Sequence, residues 1–430
     1  MIHLDFTESN YKLLGLEEAL EKMIRDEAKT YQITLKEKTN SGRISELILK
    51  LRKKYDKQVV LLIDEYDKPI IDFLEKEKIH IAEENRQIMK NFYTPIKSLD
   101  NELRFFFLTG VSRFSKVSIF SDLNHLLDIT LDARFSSMLG YTQEELENYF
   151  ADYINLIGEK NKLDKQITLE KLKEWYNGYS WTGEQRVYNP FSVMNAFVKS
   201  TFNNYWFETG TPTFLLKLMA ENQFYDITEI ETDLSSLGAF DVSNIEIVPI
   251  LFQTGYLTLQ EQTEFDLYRL GYPNKEVENS MLKLLLSEFA KREKSQTNTL
   301  LIKIKRNFDA HKLDEFFVHL NSLFAKIPYQ IFEQHKESYY HSIIFLTFEL
   351  LGYYTDAEVN TSIGRIDAVV RTQTHIYILE FKVNDSAESA LQQIKDRKYY
   401  EKYLSEQRKI VLIGISCQEK TITEYLVEEL

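Results

Sequence analysis

The chain has a single cysteine, Cys417, among its 430 residues. An internal disulfide and a cysteine-built zinc site are therefore excluded, and a reducing compartment suits the chain. Glycine and proline number only 14 and 7, which excludes collagen-like, low-complexity and disordered classes. No apolar run reaches the roughly 20 residues needed to cross a bilayer. The opening MIHLDF has neither a basic n-region nor an apolar h-region. These absences predict a cytoplasmic protein without a membrane partner. Bases are outnumbered by acids, and the formal net charge is -14, so the long-range field repels naked nucleic acid. A nucleic-acid function has to rest on a local basic patch, a protein partner or a bound metal.

Chemical signatures are missing too. A phosphate-binding loop needs GxxxxGK followed by Ser or Thr, because its backbone N–H groups cradle the phosphates and its lysine meets their charge. No Gly-Lys pair occurs anywhere in the chain. The eight histidines form no HExxH spacing, and no GxSxG elbow is present. Cys417 follows the apolar IVLIGIS and reads as a strand-end or core thiol.

The 43% of apolar residues is ample for real cores, and the length predicts two or three domains. IHLDF, VVLLID and LRFFFLTG read as strands, separated by amphipathic helices with apolar residues at helical spacing, such as Ile44, Leu47, Ile48 and Leu51. That alternation predicts a parallel sheet covered on both faces. Thr142 and Glu145 form a capping-box pattern. WYNGYSWTGEQRVYNPFSV, 175–193, suits an ordered loop. Residues 211–300 read as mainly helical, with a hairpin at GYLTLQEQTEFDLYRLGYP. From about 338 the order becomes helix, three strands, helix, strand, and Asp385 with Glu388 is expected to cap the second helix.

Two charged constellations carry the chemistry. VVLLIDEYDKP is a strand ending on adjacent carboxylates, and the C-terminal end of a central parallel strand is where such sheets bind ligands. Asp64 could hold magnesium through water while Glu65 orients or deprotonates an attacking water, and Thr109 would sense a terminal phosphate. The alternative is a strand that ends in solvated acids. Downstream, alternation along IYILEFKV puts Ile376, Ile378, Glu380 and Lys382 on one face, and a hairpin can bring Asp367 beside Glu380. Two such carboxylates repel unless compensated. A divalent cation would balance both and supply a nucleophilic water for a phosphodiester, with Lys382 orienting that water or stabilising developing charge. The alternative is a surface hairpin carrying a Glu/Lys pair. The next helix places Gln392, Lys395, Tyr399 and Tyr403 at helical spacing, with Arg397, Lys398 and Lys402 nearby. Gln393, Lys395 and Tyr399 are candidate substrate contacts, against an ordinary surface helix packed by its tyrosines.

In order along nearly the whole chain, IHLDF, LLIDEYDKPI, FFLTGVSRFSK, MLGYTQEELENYF, WYNGYSW with YNPFSV, FETGTPTFL, TSIGRIDAVV with YILEFKV, and ALQQIKDRKYYEKY resemble the bacterial and archaeal AAA-ATPase-like proteins whose C-terminus carries a PD-(D/E)XK nuclease-superfamily domain. The resemblance implies an α/β fold: a parallel P-loop-ATPase-like sheet in 1–200, a mainly helical middle region in 201–325, and an αβββαβ restriction-endonuclease-like domain in 326–430. It implies Walker B acids at Asp64 and Glu65, a sensor segment from Thr109 to Arg113, and a catalytic triad of Asp367, Glu380 and Lys382. Glu349 would be an additional acid. Metal would be held by Asp367, Glu380 and Asp64, with Mg2+ or Mn2+ at the C-terminal site. In the family a P-loop precedes the segment resembling IHLDF, so this chain is expected to lack that part, as a natural short form or by truncation, and to use ATP only if a P-loop exists upstream. The expected function is metal-dependent hydrolysis of nucleic-acid phosphodiesters. Its alternatives are an inactive scaffold or regulatory protein, and a nucleotide-driven switch in a longer form. DNA or RNA, protein partners and self-association are the expected contacts.

Overall fold

β1 (Ile2–Asp5) and β2 (Val59–Asp64) pair in parallel with Ile2 opposite Leu61 and Asp5 opposite Asp64, and β2 pairs in parallel with β3 (Leu103–Leu108). The computed structural model describes residues 1–112, 126–206, 213–222, 224, 227, 230–238, 246–291, 293–324, 336–351, 354–360, 365–418 and 421–430. Contacts group 1–202 with 228–274 and 203–227 with 275–430. The stretch 201–325, expected as a middle region, is thus shared between these two units. Among the described residues no helix is long and apolar enough to cross a membrane.

In the first unit the sheet order is β1-β2-β3. Val59, Leu61 and Ile63 of β2 are buried alternately, the period expected of a pleated strand. Helices Leu16–Thr30 and Asn40–Tyr55 bury the stripes seen in the sequence, including Leu20, Ile24, Ile44, Leu47 and Ile48. Among the described residues, cover over the sheet thins at β3. Phe105 of β3 is 52% exposed, and its ring stacks on the half-buried Phe107.

The expected capping box is present, with Thr142 and Glu145 each bonded to the other's backbone N–H at the start of helix Gln143–Tyr149. Residues 175–193 are a loop only in part, over 180–186. They form a ribbon of β4 (Asn177–Tyr179) and β5 (Val187–Tyr188), then enter helix Pro190–Lys199, capped by Asn189. Two-residue strands leave no periodicity to read. Gly178 has φ +128 in this ribbon, and a Cβ there would collide with the Pro273 carbonyl. The expected hairpin is β7 (Thr258–Gln262) with β8 (Tyr268–Gly271), extended on the other side of β8 by β6 (Glu231–Thr232).

The second unit holds helices Lys275–Phe289, Lys294–Asp309, Leu313–Phe324 and Lys336–Leu350, and then a five-stranded sheet. Its strands are β9 (Tyr354–Asn360), β10 (Arg365–Arg371), β11 (His375–Val383), β12 (Lys409–Gln418) and β13 (Thr421–Glu429), in the order β13-β12-β11-β10-β9. Only β11 and β12 run parallel, joined through helix Ala387–Asp396. The predicted order of helix, three strands, helix and strand is all there, and β13 is added to it. The alternate residues Ile376 and Ile378 of β11 pack with Val369, Ile410, Leu412 and Ile394. Helix Ala387–Asp396 is capped by Ser386, whose hydroxyl accepts from Ser389 N. The expected cap, Asp385, sits one residue too early and accepts instead from Ser386 N and Ser389 Oγ.

Candidate functional site

Parallel pairing aligns the C-terminal ends of β1 and β2, so the Asp5 and Asp64 positions are neighbours at one sheet edge. Beyond β3 the chain stays bonded to β2, with Thr109 N donating to Ile63 O at 2.9 Å and Tyr66 N donating to Thr109 O at 3.1 Å. These bonds bring two predicted residues together: the Thr109 hydroxyl donates to Asp64 Oδ1. Glu65 takes a left-handed φ of +51, and its carboxylate lies 3.4 Å from Lys68 Nζ. Arg113 lies outside the described residues.

Sequence reasoning missed Asp67. Its side chain is completely buried. It accepts from Ser112 N, from Ser112 Oγ at 2.8 Å and from Val111 N at 3.2 Å, and Tyr66 Oη donates to Ser112 O at 2.8 Å. Desolvation pushes its pKa up to about 6, although the hydrogen bonds from Ser112 and Val111 pull it down. A Cβ at Gly110 would lie 2.5 Å from Asp67 Oδ1 and 2.6 Å from the Tyr66 ring, so glycine lets the segment close over the acid. Asp67 thus ties the segment after β3 to the segment after β2. The third acid of DEYD was visible in the sequence, but nothing there marked it as the buried one.

In the second unit Glu380 lies on the central strand β11, beside Gly414 of β12, and is 2% exposed. A carboxylate so buried costs several kcal/mol unless compensated. Lys382 Nζ stands 3.5 Å from Glu380 Oε1, and Gln393 Nε2 donates to the same oxygen. In the β10–β11 ladder the last paired positions are Ala368 and Leu379, and Asp367 and Glu380 are the next residues of their strands. Asp367 is placed by its backbone in β10. Among the described residues no three of His, Cys, Asp and Glu gather into a metal-holding group.

The remaining candidates fall elsewhere. Glu349 is half-buried in the last turn of helix Lys336–Leu350. Lys395 is ion-paired with Glu428 of β13. Tyr399 and Tyr403 are each 2% exposed and pack in the core with Ile376, Ile378 and Leu412, which removes Tyr399 from any surface that a nucleic acid could touch. Gln393 was foreseen as a substrate contact, and its partner is Glu380. Cys417 is buried, as its apolar strand suggested.

Comparison with known proteins matches two separate stretches of the chain. Residues 1–120 match the family described as predicted AAA-ATPase, and residues 335–425 match the PD-(D/E)XK nuclease superfamily. The chain is 38% identical over 414 residues to an uncharacterised protein in the vnfD 5′ region of Azotobacter chroococcum mcd 1, an alignment covering 93% of this chain and 77% of that protein. No solved structure matches the chain. The chain therefore belongs to the family that joins a predicted AAA-ATPase domain to a C-terminal PD-(D/E)XK nuclease-superfamily domain.

Proposed function

We propose that the C-terminal unit is a divalent-metal-dependent nuclease acting on nucleic-acid phosphodiesters in the cytoplasm, with Asp367, Glu380 and Lys382 as its catalytic residues. The observation that carries this reading is a buried carboxylate, Glu380, gripped by Lys382 and Gln393 on the central strand of the nuclease-superfamily sheet. Two carboxylates on neighbouring strands, with no histidine or cysteine among the candidates, are a hard oxygen donor set that fits Mg2+ or Mn2+.

When bound by Asp367 and Glu380, such an ion supplies Lewis acidity and an ionisable water. The chain's own residues do the rest. Gln393 fixes the Glu380 side chain by holding one of its oxygens, leaving its orientation set before substrate arrives. Lys382, two residues along the same strand, presents a cation where charge develops on the phosphoryl oxygens and can orient the attacking water. Glu349 would be a further acid on the helix that packs against β9 and β10. Arg397, Lys398 and Lys402 are the bases through which DNA or RNA would be met despite the acidic whole, Lys398 being paired with Glu401 at 3.1 Å.

In the N-terminal unit the Thr109–Asp64 hydrogen bond supports a second reading, a nucleotide switch in which Asp64 and Glu65 serve a Mg2+-bound nucleotide and Thr109 senses it. That reading requires a phosphate loop supplied from upstream, because no Gly-Lys pair lies in this chain.

Labelled single- and double-stranded DNA and RNA, incubated with the protein and Mg2+ or Mn2+, test the nuclease reading. Cleavage is expected for the parent and its loss for Lys382→Ala. Equal cleavage by both would sink the assignment, and tight metal binding that Asp367→Asn abolishes, read by isothermal titration, would argue against a purely scaffolding role.

A further inference from the structure

Two neighbouring helices of the first unit each turn an apolar stripe to water. Helix Gln143–Tyr149 runs into helix Ala151–Asn161, with Phe150 N donating to Leu146 O at 3.1 Å and Ile154 N to Phe150 O at 2.9 Å. Along this run Tyr149, Tyr153 and Leu156 stand at helical spacing on the outer side, while Ile154 and Ile157 are buried. Helix Pro190–Lys199 repeats the arrangement, with Phe191, Met194 and Val198 outside and Val193 and Phe197 buried. The stripes adjoin, because the Tyr153 ring stacks on Phe197 at 5.7 Å and Asn161 Nδ2 donates to Ser200 O at 3.0 Å.

The six outer side chains are 42% to 76% exposed. At roughly 150–250 Å2 for a large apolar side chain, they leave roughly 600 Å2 of apolar surface in water, the upper end of what a monomer keeps bare. Single exposed apolar residues are ordinary, but two adjoining stripes of them mark a contact face.

The rim of the face narrows its occupant. Exposed Asp152 and Glu159 flank the stripe on one helix, and exposed Lys160 and Lys199 lie at the C-terminal ends of the two. A lipid surface is met by a collar of bases, whereas this rim holds both signs on a chain of net charge -14. A rim with both signs is complemented by a second copy of itself, whose acids and bases can meet in the opposite sense. The area agrees, since roughly 600 Å2 of apolar surface with a polar rim approaches the roughly 800 Å2 per partner that a specific interface buries. We propose that this face joins two copies of the chain about a twofold axis, the stripes of one copy packing on those of the other as helix on helix.

The test is sedimentation velocity on the full chain from about 1 to 100 μM, with circular dichroism to show that each variant is folded. The parent is expected to pass from monomer to dimer and to stop there. About 0.5 M NaCl should leave the dimer in place, because apolar burial is not screened. Tyr149 and Val198 are each 76% exposed and lie on different helices, so Tyr149→Lys and Val198→Lys are two separate probes of the face, and either serves if the other does not fold. Each should raise the dimer Kd at least about tenfold. A parent that stays monomeric, an unaltered Kd in a folded variant, assembly that continues past the dimer, or a dimer that salt disperses would overturn the proposal. Phosphatidylcholine vesicles that bind the parent and not Val198→Lys would overturn it too, by giving the face to a membrane.

Discussion

Asp67 makes the stability of the first unit depend on pH with a defined sign. Unfolded, its carboxyl ionises near the ordinary 3.8, and folded it does so only at about 6, because burial penalises the charged form. Between those values the folded chain keeps a proton that the unfolded chain has released. The resulting stabilisation is complete below about pH 4 and is lost as the pH rises through about 6. Linkage gives a loss of about 1.4 kcal/mol between roughly pH 5 and pH 8. The perturbation is Asp67→Ala, which cannot titrate, with Asp67→Asn as the variant that keeps the volume if the alanine protein does not fold. Urea unfolding followed by the fluorescence of Trp175 and Trp181, in a Trp206→Phe background, reads the first unit. The stability difference between parent and variant should shift by about 1.4 kcal/mol against the parent over that pH range. A difference that stays constant, or shifts in the parent's favour, would refute the burial argument.

Gly414→Ala would put a Cβ 2.5 Å from Leu391 N and against the Ala387 carbonyl, prising helix Ala387–Asp396 from β12. A loss of at least about 1–3 kcal/mol is expected in chemical denaturation, with reduced cleavage as Gln393 is carried off Glu380. Asn321→Ala removes the amide that donates to Ile422 O at 3.0 Å and accepts from Ile422 N at 2.7 Å. About 1–3 kcal/mol should be lost, with hydrogen exchange rising along β13 and cleavage unchanged in the folded fraction. Tyr399→Ala should cost about 3–5 kcal/mol as a core deletion and leave the nucleic-acid Kd of the folded protein unaltered. A selective loss of binding would restore the substrate-contact role.

Much of this architecture was legible because burial leaves a period. VVLLID and IYILEFKV stood out as apolar strands, and their terminal charges located both candidate sites. β13 was not legible, because TITEYLVEE is an edge strand with only Ile422 fully buried, so no apolar run announces it. Asp67 and Asp64 look alike in sequence. Only the return of the chain after β3 over the first of them decides which acid loses water. Tyr399 follows helix Ala387–Asp396 and turns into the core instead of continuing the exposed face. Helical spacing carried past the helix end could not foresee that turn. The Gln393–Glu380 contact joins residues from a helix and a strand, and depends on Gly414 letting the helix close on the sheet.

The most direct measurement is the single-turnover cleavage rate of labelled nucleic acid in Mn2+ for the parent, Glu380→Gln and Lys382→Ala, each first shown to be folded. Parent cleavage that is abolished by EDTA and falls at least about 100-fold in both variants is the predicted result. Parent-like rates in either variant, or no metal-dependent cleavage by the parent on any of the four DNA and RNA substrate classes, would contradict the account.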